Sequence, residues 1–164
     1  MKLSLTKTTF FILAIFSLSS CTGDLKQAEK SLVGNWEVYE IQSQYGDFVI
    51  QNGVVTSVVE TENKTDKGNL GTFVFNENRL KFDFKRDESR SRGEAPWNLN
   101  LSLANSGFFK VNKWTLSLGE KYSFITQFGN STKNAEKNAT HIQLKSWPKT
   151  SGEGVAYFMK LKKN

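Results

Sequence analysis

The sequence predicts an all-β fold, an antiparallel up-and-down β-barrel of about eight to ten strands behind one short helix. Three observations predict it. From Gly34 onward apolar residues recur with a period of two, the mark of strands with one face on a core and one in water. All 12 glycines fall after residue 20, on average about a dozen residues apart, which is the strand-and-turn rhythm of a sandwich or barrel. The 164 residues contain no Pro/Ser linker and no repeat of roughly 20–50 residues, so residues 25–164 form one domain.

Residues 1–20 read as an address rather than as structure. Lys2 and Lys7 precede the unbroken apolar run Phe10-Phe11-Ile12-Leu13-Ala14-Ile15-Phe16, and small residues follow. This is the layout of a secretory signal peptide, with an apolar run too short to span a bilayer. The chain has a single cysteine, Cys21, directly behind that segment. It therefore forms no intramolecular disulfide and no Cys-built zinc site. Removing 1–20 takes away two lysines and no acid, so the formal charge falls from +6 to +4. The remaining chain of about 150 residues is large enough to bury a self-sufficient core.

Residues 21–24 read as a short tether. Leu25, Ala28, Leu32 and Val33 then fall on one helical face, with Asp24 as a candidate cap. Beyond Gly34, Trp36 and Val38 alternate with polar residues, as do Leu80, Phe82 and Phe84, then Trp97, Leu99, Leu101 and Leu103. Trp114, Leu116 and Leu118 continue the pattern, followed by Tyr122 and Phe124, Ile142 and Leu144, and Val155, Tyr157, Met159 and Leu161. The sharpest hairpin signal is Thr72–Phe75, a turn at Asn76-Glu77-Asn78, and Arg79–Phe82. Gln51-Asn52-Gly53 and Ser106-Gly107 mark two further turns. Segments 61–69, 85–94 and 129–138 carry no apolar period and are expected to be exposed loops.

The chemistry of the chain argues for a non-enzyme. The single histidine, His141, falls on the face opposite Ile142 and Leu144, with no Gly-x-Ser-x-Gly elbow to supply a nucleophile. No phosphate-binding or dinucleotide glycine loop occurs, Glu60, Glu62 and Asp66 lack calcium-loop spacing, and no metal or cofactor is expected. Arg79, Lys81, Lys85, Arg86, Arg90 and Arg92 form a basic stretch diluted by Asp83, Asp87, Glu88 and Glu94, read as a solvated face and loop, with electrostatic docking as the alternative. The 18 aromatics after residue 20 leave two interiors open. One is a core filled by side chains; the other is a cavity with Phe82, Phe84, Trp97, Trp114 and Phe124 as its candidate ligand-binding lining.

Two motifs carry resemblances. Leu18-Ser19-Ser20-Cys21 resembles the bacterial lipobox, which implies that Cys21 is acylated, by chains of the palmitate kind, and becomes the first residue of the mature protein. More than one acyl chain makes such an anchor effectively permanent. Leu32-Val33-Gly34-Asn35-Trp36 looks like the opening of a lipocalin-like (calycin-type) barrel, where Gly-x-Trp begins the first strand after a short helix and the Trp plugs the closed end. Gly34 and Trp36 are then structural motif residues. The family's mid-chain Thr-Asp-Tyr motif is lacking, since Thr65-Asp66 is followed by Lys67, and so is an Arg near the last strand; Lys160 or Lys162 is the expected stand-in over Trp36. Together these features look like a small envelope lipoprotein of the Bacteroidetes type. They imply a lipid-anchored protein of the bacterial cell envelope, at the outer membrane, monomeric and without nucleic-acid partners. Its barrel is expected to bind a small hydrophobic ligand; the alternative is a structural or interaction lipoprotein with a filled core that binds another envelope protein through its loops.

Overall fold

A computed structural model describes residues 24–164 apart from 87, 107, 108, 120, 121 and 130–137. The signal segment 1–20, the lipidation residue Cys21 and the rest of the 21–24 tether up to Gly23 therefore lie outside the described residues, as does most of the loop expected at 129–138. A short helix, α1 (24–32), precedes eight strands: β1 (Gly34–Gln51), β2 (Val54–Phe75), β3 (Arg79–Arg86), β4 (Ser89–Ser106), β5 (Phe109–Leu118), β6 (Tyr122–Gly129), β7 (His141–Ser146) and β8 (Gly152–Lys163). Every strand pairs antiparallel with its sequence neighbours, and β1 also pairs with β8, so the sheet closes on itself. Closure leaves β1 and β8 with no free edge at the seam. The strand number is the lower end of the eight to ten expected.

In an up-and-down ring the connections alternate between two ends. The β2–β3, β4–β5 and β6–β7 connections share one end with α1 and Lys163. The β1–β2, β3–β4, β5–β6 and β7–β8 connections share the other. The β1–β2 turn is Asn52-Gly53, both residues at positive φ (52° and 73°), as a two-residue hairpin loop requires. At the β2–β3 turn the Asn76 amide donates to the Arg79 carbonyl at 2.9 Å.

The α1 end is solid. Ala28 and Leu32 are fully buried and Leu25 packs beside them, whereas Val33, expected on the same face, is exposed. The helix stops at residue 32, and Gly34 at a φ of +131° redirects the chain into β1, which swings Val33 outward. Trp36 is fully buried and its Nε1 donates to the Leu32 carbonyl at 2.7 Å, tying the strand to the helix that covers it. Phe75, Leu80, Leu99, Leu116, Ile142, Leu144 and Leu161 complete the core around it.

Two of the segments expected to be loops are strand. Residues 61–69 lie inside β2, and 85–94 run through the end of β3 and the start of β4. Backbone pairing explains both. Tyr45↔Glu62 through Glu40↔Lys67 continue the β1–β2 ladder, and Arg86↔Ser89 through Lys81↔Glu94 continue β3–β4. Side chains on these stretches are mostly exposed, so their pairing leaves no apolar period to detect. Charged cross-strand contacts join them instead: Arg90 Nε lies 2.6 Å from the Asp83 carboxylate, and Arg79 pairs with Glu94. The β1 alternation also slips. A register shift between Val38 and Glu40, present on both the β2 and β8 sides, moves the inward set from Trp36 and Val38 to Ile41 and Ser43.

Candidate functional site

Above the packed core the ring encloses a cavity of about 280 Å³. Its wall takes at least one residue from every strand: Ile41 of β1, Phe73 of β2, Phe82 and Phe84 of β3, Ser91 of β4, Leu118 of β5, Phe124 of β6, Ser146 of β7, and Tyr157 and Met159 of β8. Only an interior space in a closed ring is lined in this way. Eight strands set a diameter at which the interior is either just filled or holds one small ligand. Here the two outcomes divide the molecule, with side chains filling the α1 end and a space remaining toward the other.

The aromatic wall follows from register. Phe73 pairs with Phe82 across β2–β3, and Phe84, two residues further along β3, lies diagonally from Phe73; ring centres stand 6.0 Å apart for Phe73–Phe82 and 5.6 Å for Phe73–Phe84. These tilted pairs bring three benzyl groups to one side of the cavity. Gly93, opposite Phe82 in β4, has no side chain to displace the ring: a Cβ there would meet Phe82 Cζ at 2.9 Å.

Of the five aromatics expected to line a cavity, Phe82, Phe84 and Phe124 do so; Trp97 and Trp114 do not. Trp97 stands edge-on to Phe75 and its Nε1 donates to the Asn76 carbonyl at 2.7 Å, which holds it beside the β2–β3 turn. Trp114 is buried against Phe128, with ring centres 5.5 Å apart. Both point to the inner side of their strands, but below the space rather than at it. Alternation assigns a face and is silent about height along the strand.

The residue that sequence reading passed over is Arg86. Its charged neighbours make it read as part of a solvated face and loop, yet it is the last residue of β3 and follows Leu80, Phe82 and Phe84 at period two, on the inner face. It lines the cavity, half-buried, with its guanidinium carbon 4.2 Å from the centre of the Tyr157 ring. Counting by two past Phe84 was the available signal.

At the closed end the cation over Trp36 is Lys163, not Lys160 or Lys162. Its Nζ lies 5.5 Å from the Trp36 ring centre and donates to the Ser31 carbonyl at 2.6 Å. Burial pushes the Lys163 ammonium below the usual lysine range. Lys160 and Lys162 point to the outer face, where they pair with Glu40 at 2.6 Å and Glu37 at 3.1 Å. The hydrogen bond from Lys160 holds the Glu40 carboxyl below its ordinary value against a smaller opposing effect of burial. Strand parity decides the assignment: Met159, Leu161 and Lys163 share the inner side.

His141 is exposed, edge-on to Tyr39 with ring centres 6.4 Å apart and its Nδ1 3.1 Å from Thr140 Oγ1. Comparison of the chain with protein-family models, with curated proteins and with solved structures gives no match. The functional reading therefore stands on the cavity and on the sequence motifs.

Proposed function

We propose that the chain is a lipid-anchored protein of the bacterial cell envelope whose lipocalin-like barrel carries a small hydrophobic ligand. The observation that carries this reading is the cavity of about 280 Å³ walled by all eight strands, with Ile41, Phe73, Phe82, Phe84, Leu118, Phe124 and Met159 as its apolar surface. A preformed, mostly apolar hollow with a few polar groups is the usual form of a small-molecule site, and this volume is at the small end of that class. The Gly34-x-Trp36 opening, the helix packed below it and Lys163 over the indole support the lipocalin-like comparison. Leu18-Ser19-Ser20-Cys21 supports the anchor, the outer membrane being the proposed site of attachment.

Residues 24–164 contain the whole closed ring and its core, so the 22–164 fragment is the material for solution work. Titrated with an apolar fluorophore, it is expected to bind one probe per chain with micromolar affinity, about −8 kcal/mol. A folded fragment that shows no saturable binding overturns the carrier reading. A second reading, attachment to another envelope protein, is favoured by one observation: Val49 of β1 and Val54 and Val59 of β2 stand 41%, 61% and 67% exposed.

The anchor has its own test. Cys21→Ser in the full chain is expected to release the protein from the membrane fraction or to leave an unprocessed precursor. Fractionation and migration identical to the unsubstituted chain overturn the lipoprotein assignment.

A further inference from the structure

We infer that the ligand is a single-chain amphiphile with a carboxylate head, its alkyl chain among the phenylalanines and its carboxylate on Arg86. The inference rests on the carrier reading and names the ligand class within it.

The cavity wall is graded along the barrel. Ile41 pairs with Met159 and Phe73 with Phe82, and these apolar pairs form the part nearer α1. The polar members lie toward the other end. Arg86 closes β3, Ser91 is near the start of β4, and Ser146 closes β7 and pairs with Tyr157. All four line the same space as the phenylalanines. Among the described lining residues Arg86 is the one with a formal charge, so the wall is mostly apolar and carries a single cationic side chain among its polar members. A neutral hydrocarbon matches the first property alone, and an amphiphilic anion matches both.

The geometry of the guanidinium favours a carboxylate in particular. The guanidinium stands over the Tyr157 ring, its carbon 4.2 Å from the ring centre. Its N–H donors lie in the plane at the edge, in the fork that a carboxylate meets with two parallel hydrogen bonds. Ser146, which pairs with Tyr157, and Ser91, which pairs with Phe84, add hydroxyl donors to the wall. Volume limits chain length. At roughly 30 Å³ per non-hydrogen atom, the share of a water molecule in the liquid, 280 Å³ holds on the order of ten such atoms. Octanoate is that size.

The test compares octanoate, octanol and octylammonium on the 22–164 fragment at neutral pH, by calorimetry and by displacement of the apolar fluorophore. Octanoate is expected to bind about tenfold or more tightly than octanol, with octylammonium weakest. Arg86→Gln is expected to bring octanoate to the level of octanol, and Arg86→Lys to retain part of the preference. The Arg86 Nε–H resonance of the unsubstituted fragment is expected to shift with octanoate and not with octanol, which keeps the test decisive should either variant fail to fold. Octanol binding as tightly as octanoate overturns the head-group assignment and leaves the apolar carrier standing. An octanoate preference that survives both substitutions, or an unmoved Arg86 resonance, also overturns it. Binding of none of the three, with the fluorophore also unbound, removes the carrier reading itself.

Discussion

Trp36→Ala is expected to lower the unfolding free energy of the 22–164 fragment by about 3–5 kcal/mol, the range for truncating a buried aromatic side chain. Three structural roles end together in that substitution. The indole is fully buried at the closed end of the ring, where Ala28 and Leu32 of α1 meet β1. Its Nε1–H satisfies the Leu32 carbonyl at 2.7 Å, one of the carbonyls that a helix C-terminus leaves without an intrahelical donor. Its ring also lies beneath Lys163, whose Nζ reaches the Ser31 carbonyl. Trp36→Phe separates these roles. It keeps most of the packing and loses the hydrogen bond, so a smaller loss of about 1–2 kcal/mol is expected. Chemical denaturation of the two variants beside the parent checks both values. A Trp36→Ala variant with an unchanged midpoint overturns the view that this residue plugs the ring.

The same region shows what the sequence makes legible. A helix followed by Gly-x-Trp predicts a cap on a barrel end because each residue has a local reason to be where it is: the 3.6-residue face of Leu25, Ala28 and Leu32, and a period of two after Gly34. The Asn52-Gly53 and Asn76–Asn78 turns were legible for the same reason, since residues that tolerate positive φ or hydrogen-bond their own backbone announce a reversal. The place over Trp36, expected for Lys160 or Lys162, falls to Lys163, because a terminal Lys-rich run reads as solvated charge and hides which lysine faces inward. The inward parity of Met159 and Leu161 decides the matter once β8 is followed to its end.

Where the sequence misled, the cause was pairing without burial. Strand residues 61–69 have a partner strand and almost no core contact, so nothing in their side chains reports the ladder. The slip between Val38 and Glu40 similarly comes from the partners on both sides of β1, and no local pattern marks it. The candidate site shares this limit. Period two placed Phe82, Phe84, Trp97, Trp114 and Phe124 on the inside, and all five are inward. The height at which packing stops and space begins depends on how eight tilted strands stagger, which separates Phe82, Phe84 and Phe124 from the two tryptophans. Arg86 was hidden twice, by its charged neighbours and by the reading of 85–94 as a loop.

Gly71→Ala is expected to damage both the fold and the cavity, and Gly68→Ala is its control. The two glycines bracket the place where β2 departs from regular pairing: Val38 faces Gly71 while Glu40 faces Lys67, so residues 68–70 bulge from the ladder. Both take backbone angles that favour glycine, with φ of +116° at Gly68 and +148° at Gly71. They differ in their surroundings. A Cβ at Gly68 meets nothing within 4 Å, whereas one at Gly71 falls 2.2 Å from the Asp83 carbonyl oxygen and 2.4 Å from Phe84 Cα, both main-chain atoms of β3. Gly68→Ala is therefore expected to cost only backbone strain, about 1–3 kcal/mol. Gly71→Ala adds a clash that moving a side chain cannot relieve, and the combined loss is expected to reach about 3–5 kcal/mol. The β2–β3 pairing spans only Gly71 to Phe75 on β2, so a strand pushed away at Gly71 loosens the end of a five-residue ladder. Phe73 and Phe84 sit on that ladder and line the cavity. The Gly71 variant, held at a temperature where it remains folded, should therefore bind the apolar fluorophore several-fold more weakly, while the Gly68 variant binds it as the parent does. Equal destabilisation by the two substitutions, with equal probe affinity, overturns the close β2–β3 approach at Gly71 as the contact that shapes this wall.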